Sequence, residues 1–372
     1  MPNVVRNDQF ILLESIPAGY YQLYKDQLSS PEFYFDNILV VKEKSAEYHT
    51  AGVKHVIADE TLYHSIESGD IASVTMNKMR IILSRKANHN TLLLTERCNN
   101  LCLFCSQPPK NISDSWLLDV ATQALAAFKL EGVIGISGGE PLLYGIEFIE
   151  FLEHVKNNTP KTALHILTNG RAFKDLMFTK QVANIAKELP ITFGIPLYSA
   201  SASIHNKLVS SDGAFEETIS GIINAGNSGL NIELRFIPTN YNYSDLYAVV
   251  EMAGRVFSNI NQISVMNLEA TGWARKNWKS LYVNPETYLE SLQKAIDIAE
   301  RSQLPIVLFN YPLCHISQDL WQYSVQSISD WKNYYPDDCL HCKMMGECGG
   351  YFSSSYGQYH QPPRVIVWKN GI

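Results

Sequence analysis

Three cysteines, Cys98, Cys102 and Cys105, fall within eight residues in the stretch TERCNNLCLFCSQPP, from Thr95 to Pro109. Thiolates grouped this closely bind metal, and their spacing says which kind. A zinc knuckle uses pairs of cysteines two residues apart and four ligands in all. A ferredoxin-type cluster uses C-x2-C-x2-C with a fourth cysteine beyond. Here the gaps are three and then two, and the next cysteine is Cys314. Three thiolates on a four-iron cube leave one iron without a protein ligand, and a catalytic metal needs such an open position. The spacing therefore points to catalysis. A structural metal loop, or thiols buried without connection, is the other reading.

Two more groups could do chemistry. Ser137-Gly138-Gly139-Glu140-Pro141 places two glycines, which let backbone approach a ligand, beside a carboxylate able to receive an ammonium. Taken alone it is also a plain strand-to-helix turn with Pro141 at a helix N-terminus. Near the other end, Cys339-x2-Cys342-x5-Cys348 is preceded by Cys314. Four thiols suit an iron-sulfur cluster, and a structural zinc ion is the other reading, since zinc also prefers such a set. Arg235, set between Leu234 and Phe236, needs an anion, which a salt bridge would also supply. Glu269 is a candidate for binding substrate or for pairing with a neighbouring base. His205 is read as a loop residue after a strand, a candidate catalyst or a plain hydrogen-bonded histidine. Tyr198 and Tyr144 are further candidates near the reacting centre.

The elements that must position these groups alternate. Strands are expected at Thr91 to Thr95, Val133 to Ser137, Ala163 to Thr168, Ile191 to Tyr198, Asn231 to Ile237 and Gln262 to Leu268, with amphipathic helices at Trp116 to Leu130, Ile146 to Asn157 and Phe215 to Asn227. That is the pattern of a parallel sheet with crossover helices, and the candidate groups follow the strands' C-terminal ends, where α/β active sites gather. A long helix is expected from Pro285 to Ser302 and a further strand from Pro305 to Phe309. Before Lys86 the sequence reads as a small β-rich accessory domain, with strands at Asn37 to Val41, Val53 to Ile57, Ile71 to Met76 and Met79 to Leu83. Turns are read at Gly69-Asp70 and Asn77-Lys78. Three regions follow: 1–86, 87–275 and 276–372, with a boundary near Ala270 to Ser280 and Gly272 as the break.

With 372 residues, 46% of them hydrophobic and 18% charged, the chain can bury a large core, and a net charge of −7 argues against a nucleic-acid partner bound through phosphates. All seven cysteines lie in the two clusters, which favours reduced, metal-binding thiols in a cytoplasm over a secreted disulfide framework. MPNVVRNDQF has no signal-peptide pattern, and no apolar run is long enough for a membrane span.

C-x3-C-x2-C after a first strand, with Phe104 before its last cysteine, resembles the signature of the radical S-adenosylmethionine (SAM) enzymes. In that superfamily the open iron of a [4Fe-4S] cluster is chelated by SAM. The resemblance implies an α/β partial TIM barrel of six β/α repeats, reductive cleavage of SAM to a 5′-deoxyadenosyl radical, and hydrogen abstraction from a substrate. It matches Gly138, Gly139 and Glu140 to the GGEP motif that binds the amino group of SAM. It also matches Thr168 and Asn169 to a TNG turn, Ser199 to a polar residue near the ribose, and Arg235 to a position that meets the SAM carboxylate. The C-terminal cysteines are similar to part of the SPASM motif, although its next cysteine is replaced by Phe352. This implies one auxiliary [4Fe-4S] cluster on Cys314, Cys339, Cys342 and Cys348 in a reduced, twitch-like extension, with zinc as the alternative. His89-Asn90, GIPLYS, Tyr311-Pro312-Leu313-Cys314, Ser327-Ile328-Ser329-Asp330-Trp331 and CGGYF resemble His-Xaa-Ser system radical SAM maturases of the HxsC type. That likeness implies a ribosomally made precursor peptide as substrate, a second radical SAM protein as partner, and an electron donor such as flavodoxin or ferredoxin. A small-molecule or RNA-linked substrate, or a non-catalytic iron-sulfur or zinc protein, are the alternative readings.

Overall fold

A computed structural model of the chain describes residues 9–11, 16–26, 37–43, 55–75, 78–327 and 332–367. The chain divides into two compact units. The first takes in Met1–Glu96, Asn111–Ile166 and Ile185–Pro190; the second takes in Arg97–Lys110, Leu167–Asn184 and Ile191–Ile372.

The first unit opens with a six-stranded sheet of β1 (Gln9–Ile11), β2 (Gly19–Lys25), β3 (Ile38–Lys42), β4 (His55–Ala58), β5 (Ile71–Thr75) and β6 (Lys78–Leu83), in the order β1-β6-β5-β2-β3-β4. Every second residue is apolar on one face. Tyr21, Leu23, Leu39, Val41, Ala72, Val74, Met79 and Ile81 form one buried cluster with Leu62 of α1 (Glu60–Ser65). The period of two in the sequence sets that face. Asp59 caps α1 by accepting the Leu62 N–H at 2.9 Å. The expected turn at Gly69 is present; Asn77, Met76, Val53 and Lys54 lie outside the described residues.

The same unit continues with β7 (Asn90–Leu93), α2 (Trp116–Phe128), β8 (Gly132–Ser137), α3 (Ile146–Asn158) and most of β9 (Thr162–Leu167). β7, β8 and β9 run parallel, so both their faces must be covered. The β-rich region packs on this part directly: Gln22 Nε2 donates to the Ala127 carbonyl at 3.3 Å and an Arg85 guanidinium nitrogen to that of Phe128 at 2.6 Å.

The second unit holds the rest of the alternation. It contains α4 (Leu176–Ala186) as far as Asn184, β10 (Ile191–Pro196), α5 (Ala202–Val209), α6 (Ala214–Asn227), β11 (Asn231–Phe236), α7 (Leu246–Val256) and β12 (Ile260–Met266). Two short helices, α8 (Gly272–Lys276) and α9 (Trp278–Leu281), precede α10 (Leu289–Arg301), β13 (Ile306–Phe309) and β14 (Ser324–Val325). β10 to β14 are parallel and neighbour one another in chain order. The parallel run thus extends past the sixth expected strand, through β13 and β14. Each expected strand is present within two residues of its expected ends. β10 stops at Pro196, not Tyr198. The expected single helix from Pro285 is corrected: Pro285–Tyr288 is a 3-10 turn, capped by Asn284 accepting the Glu286 N–H at 3.2 Å, and α10 starts only at Leu289. No described helix is long and apolar enough to cross a membrane.

Candidate functional site

In the first unit, the turn after β8 is built against the end of β7. Gly139 N–H donates to the Thr95 carbonyl at 2.7 Å, and a Cβ on Gly138 would sit 2.6 Å from that same oxygen. Only glycine fits there. Glu140 is buried, and its Oε1 caps the turn Pro141–Tyr144 by accepting the Leu142 N–H at 2.9 Å. Buried Asp114 holds the strand end beside it, accepting from Thr95 Oγ1 at 2.9 Å and from the Glu96 N–H at 2.6 Å. Tyr144 lies in this unit too, its hydroxyl 3.0 Å from the Leu94 carbonyl, which makes it a brace of the strand end.

In the second unit, the cysteine loop is irregular backbone fastened from several sides. Leu101 and Leu103 donate to the Val209 and Leu208 carbonyls at the end of α5, both at 2.9 Å. Trp273 N–H reaches the Cys105 carbonyl at 2.9 Å and Asn277 Nδ2 the Leu103 carbonyl at 2.8 Å. Gly272, expected to be a break, is the residue that lets α8 approach: a Cβ there would lie 2.4 Å from the Cys105 carbonyl. Phe104 is buried and packs edge-on against Tyr198 with ring centres 4.7 Å apart. Burying a side chain of this size contributes roughly 2–3 kcal/mol to holding the loop.

Of the three thiols, Cys102 is the one that its neighbours affect. Burial first, then the neighbouring Cys105 and Cys98 thiolates, push the Cys102 thiol far up. Burial also raises Cys105. Asn100 N–H points at Cys98 Sγ at 3.4 Å, the kind of amide donor that stabilises a metal-bound thiolate. Burial, and then the charge of Cys102, likewise raise the Tyr198 hydroxyl, so Tyr198 stands beside the cysteines.

His205 requires a correction. It is not on a loop but on α5, buried, with Nδ1 accepting the Tyr198 N–H at 3.2 Å and its ring stacked on that of Tyr198 at 6.0 Å. Burial, with Arg171 adding to it, lowers its pKa to about 4. A folded value below the unfolded one means that the unfolded chain binds more protons between about pH 4 and 6.5. Stability is therefore complete above pH 6.5 and lost as pH falls toward 4, by roughly 3 kcal/mol. Denaturant midpoints of the iron-free chain across that range check this. His205→Asn keeps an acceptor for the Tyr198 N–H and is expected to show a shallower loss; an unchanged slope would assign the effect elsewhere.

The remaining candidates are mostly engaged. Thr168 Oγ1 accepts the Gly170 N–H at 3.1 Å, and Asn169 Nδ2 donates to Asn99 Oδ1 at 2.6 Å, so the Asn-Gly turn touches the cysteine loop itself. Ser199 is buried, donates to Asp245 and accepts the Ser201 N–H at 2.8 Å. Arg235 lies 3.9 Å from Glu233 on the same strand, with space for both left by Gly194 on β10. Glu269 pairs with Lys332 at 3.0 Å, the simpler of its two readings.

The four C-terminal cysteines, also in the second unit, line one apolar cavity with Tyr335, Met345, Tyr351 and Arg364. Burial, and then Cys348, Cys314 and Cys342, push the Cys339 thiol up to about 11. Leu313 and Gly350 N–H groups both point at Cys348 Sγ at 3.4 Å. Among the described residues, no three cysteine sulfurs lie within 4.8 Å of one another. The segment Ile328 to Trp331 lies outside the described residues.

Sequence reasoning missed Arg171 and Asp114. Neither sits in a spaced motif, and their partners come from distant parts of the chain.

Comparison with known proteins follows this geometry. Residues 92–253 match the sequence profile of the Radical SAM superfamily. A GTP 3′,8-cyclase of Campylobacter jejuni is 29% identical over 198 residues, 50% of this chain and 59% of that protein. An Fe-coproporphyrin III synthase of Methanosarcina barkeri is 26% identical over 217 residues, 56% of this chain and 50% of that protein. The chain thus spans between half and three-fifths of the length of these curated relatives. Among solved structures, Streptococcus suis SuiB bound to precursor peptide SuiA aligns with a TM-score of 0.44 and 16% identity, over 59% of this chain and 48% of SuiB. The similarity to the Radical SAM superfamily thus runs through residues 92–253, which carry the first cysteine loop and the Gly138-Gly139-Glu140 turn.

Proposed function

We propose that this chain is a peptide maturase: a radical SAM enzyme that takes a hydrogen atom from a ribosomally made precursor peptide of the His-Xaa-Ser type. The superfamily's cofactors are a [4Fe-4S] cluster and SAM, which together supply a 5′-deoxyadenosyl radical when bound. The donor set fits them: three half-buried thiols on one loop, with the Asn100 N–H aimed at Cys98 Sγ. Cys98, Cys102 and Cys105 hold the cluster. Gly138, Gly139 and Glu140 receive the SAM amino group, Thr168, Asn169 and Ser199 border the nucleoside, and Arg235 meets the carboxylate. Tyr198 walls the reacting centre, His205 holds Tyr198 in place, and Glu269 with Lys332 borders the substrate. Water exclusion and fixed orientation are the barrel's contribution.

The observation that carries the peptide reading is the second cysteine cavity. Four thiols around one apolar pocket resemble the auxiliary-cluster extensions of peptide-modifying radical SAM enzymes, which favours an auxiliary [4Fe-4S] cluster, with zinc as the alternative. In this account 1–86 is an accessory domain, 87–275 the catalytic barrel and 276–372 the auxiliary-cluster extension. The enzyme works in the cytoplasm with flavodoxin or ferredoxin as reductant, alongside a second radical SAM maturase. A second reading, a small-molecule substrate, is favoured by the identity to GTP 3′,8-cyclase and Fe-coproporphyrin III synthase. Co-expression with the precursor peptide separates the two. The maturase reading expects a mass change in the peptide that is lost in Cys98→Ala. An unmodified peptide beside an enzyme that still cleaves SAM would favour the small molecule.

A further inference from the structure

Arg171 follows the Asn169-Gly170 turn, and its side chain is only 11% exposed. Nε donates to Glu217 at 2.7 Å. Nη1 lies 2.8 Å from the Asn99 carbonyl, 2.6 Å from Asn100 Oδ1 and 2.9 Å from Ser211 Oγ. Asn99 and Asn100 are two of the three residues between Cys98 and Cys102. Asn169, one turn residue earlier, reaches Asn99 Oδ1 as well. The base from which Arg171 projects is itself fixed. Gly170 has φ +74°, and a Cβ on Gly221 of α6 would fall 2.1 Å from the Gly170 carbonyl, so the helix lies directly on the turn. Asn224 Nδ2 then donates to the Phe173 carbonyl at 3.0 Å.

We infer that Arg171 is a positioning residue for the first metal site, its guanidinium fixing the Cys98–Cys102 segment so that the thiolates are held ready for the cluster. An Asn-Asn segment has many turn conformations of similar energy, and an exposed Asn99 and a buried Asn100 left to choose among them would scatter the first two sulfurs. A guanidinium suits this task because its planar fork meets several acceptors in fixed directions, whereas lysine offers a point charge on a flexible stem. Glu217 counterbalances it: burial opposes its charge, but Lys174 and Arg171 hold its carboxyl below the usual range.

The inference rests on Cys98, Cys102 and Cys105 being cluster ligands. Its test compares R171A, R171K and E217Q with wild type as full chains reconstituted anaerobically. Two readouts are used: loss of iron to a chelator, and the SAM-induced change in the electron paramagnetic resonance (EPR) spectrum of the reduced protein, which reports only a cluster with an open iron. Removing a partner that orients metal ligands typically costs about 10–100-fold in metal retention, and R171A is expected to lose iron faster by that factor with a broadened, weakened SAM response. R171K keeps the charge but not the fork, so it is expected to fall between R171A and wild type, and it carries the test if the alanine variant fails to fold. E217Q, which removes the charge facing Arg171 and Lys174 and leaves the Arg171 contacts to Asn99 and Asn100, is expected to melt earlier yet hold iron and answer SAM as wild type does. R171A or R171K matching E217Q in both readouts would overturn the role. A wild-type protein without any SAM-sensitive signal would refute the ligand assignment instead, so the two failures are distinct.

Discussion

Replacing Cys98, Cys102 and Cys105 together by alanine is expected to remove about four irons per chain, as for one cysteine-ligated [4Fe-4S] cluster, and to abolish SAM cleavage. On the proposed assignment the remaining iron, about four more per chain on the same basis, is expected on Cys314, Cys339, Cys342 and Cys348. The two sets are separate in kind. The first has three thiols in an eight-residue loop, and the second has four around its own apolar cavity. Elemental analysis of the reconstituted variant checks the partition. A triple variant that holds no iron at all would make the C-terminal site a zinc site or no metal site. One that keeps its full iron content would refute the assignment of the first loop.

Gly272→Ala is expected to be among the most damaging single changes away from the cysteines. The new Cβ would lie 2.4 Å from the Cys105 carbonyl and 2.6 Å from that of Ser106, and the backbone there has φ +50°. Neither neighbour is a flexible side-chain tip, so the loop or α8 must move. Overpacking and left-handed backbone together cost about 2–5 kcal/mol. Because the displaced atoms are the backbone of Cys105, a proposed cluster ligand, iron retention is expected to fall with the denaturation midpoint. Gly346→Ala serves as control, since nothing lies within 4 Å of a Cβ there and its φ is ordinary. Equal midpoints and iron contents for the two variants would show that the approach of α8 to the loop does not matter.

The candidate groups were legible in the sequence because they are local. C-x3-C-x2-C and Gly-Gly-Glu-Pro declare themselves by spacing, and the strands that deliver them are apolar runs bounded by turns. β7, β8 and β9 could be read from Leu92, Ile134 and Leu164 with their neighbours, all buried in a parallel arrangement. What spacing could not supply was packing between distant segments. His205 read as a loop residue because Ser199 to Ser203 is rich in small polar residues, whereas the apolar partners that make α5 a buried helix, such as Phe104 and Phe215, lie elsewhere in sequence. Arg171 carries no local signal. Its partners Asn99 and Asn100 are some seventy residues earlier, and no local pattern announces that meeting. The helix from Pro285 was overextended because proline is welcome in a first turn whether that turn is α or 3-10.

The central claim, that the first cysteine site binds a cluster which cleaves SAM, is tested most directly by reconstituting the full chain without oxygen, adding SAM and dithionite, and assaying 5′-deoxyadenosine. The account predicts its formation in wild type and its absence in the Cys98, Cys102, Cys105 triple alanine variant. A wild-type protein carrying a full complement of iron and forming no 5′-deoxyadenosine would contradict it.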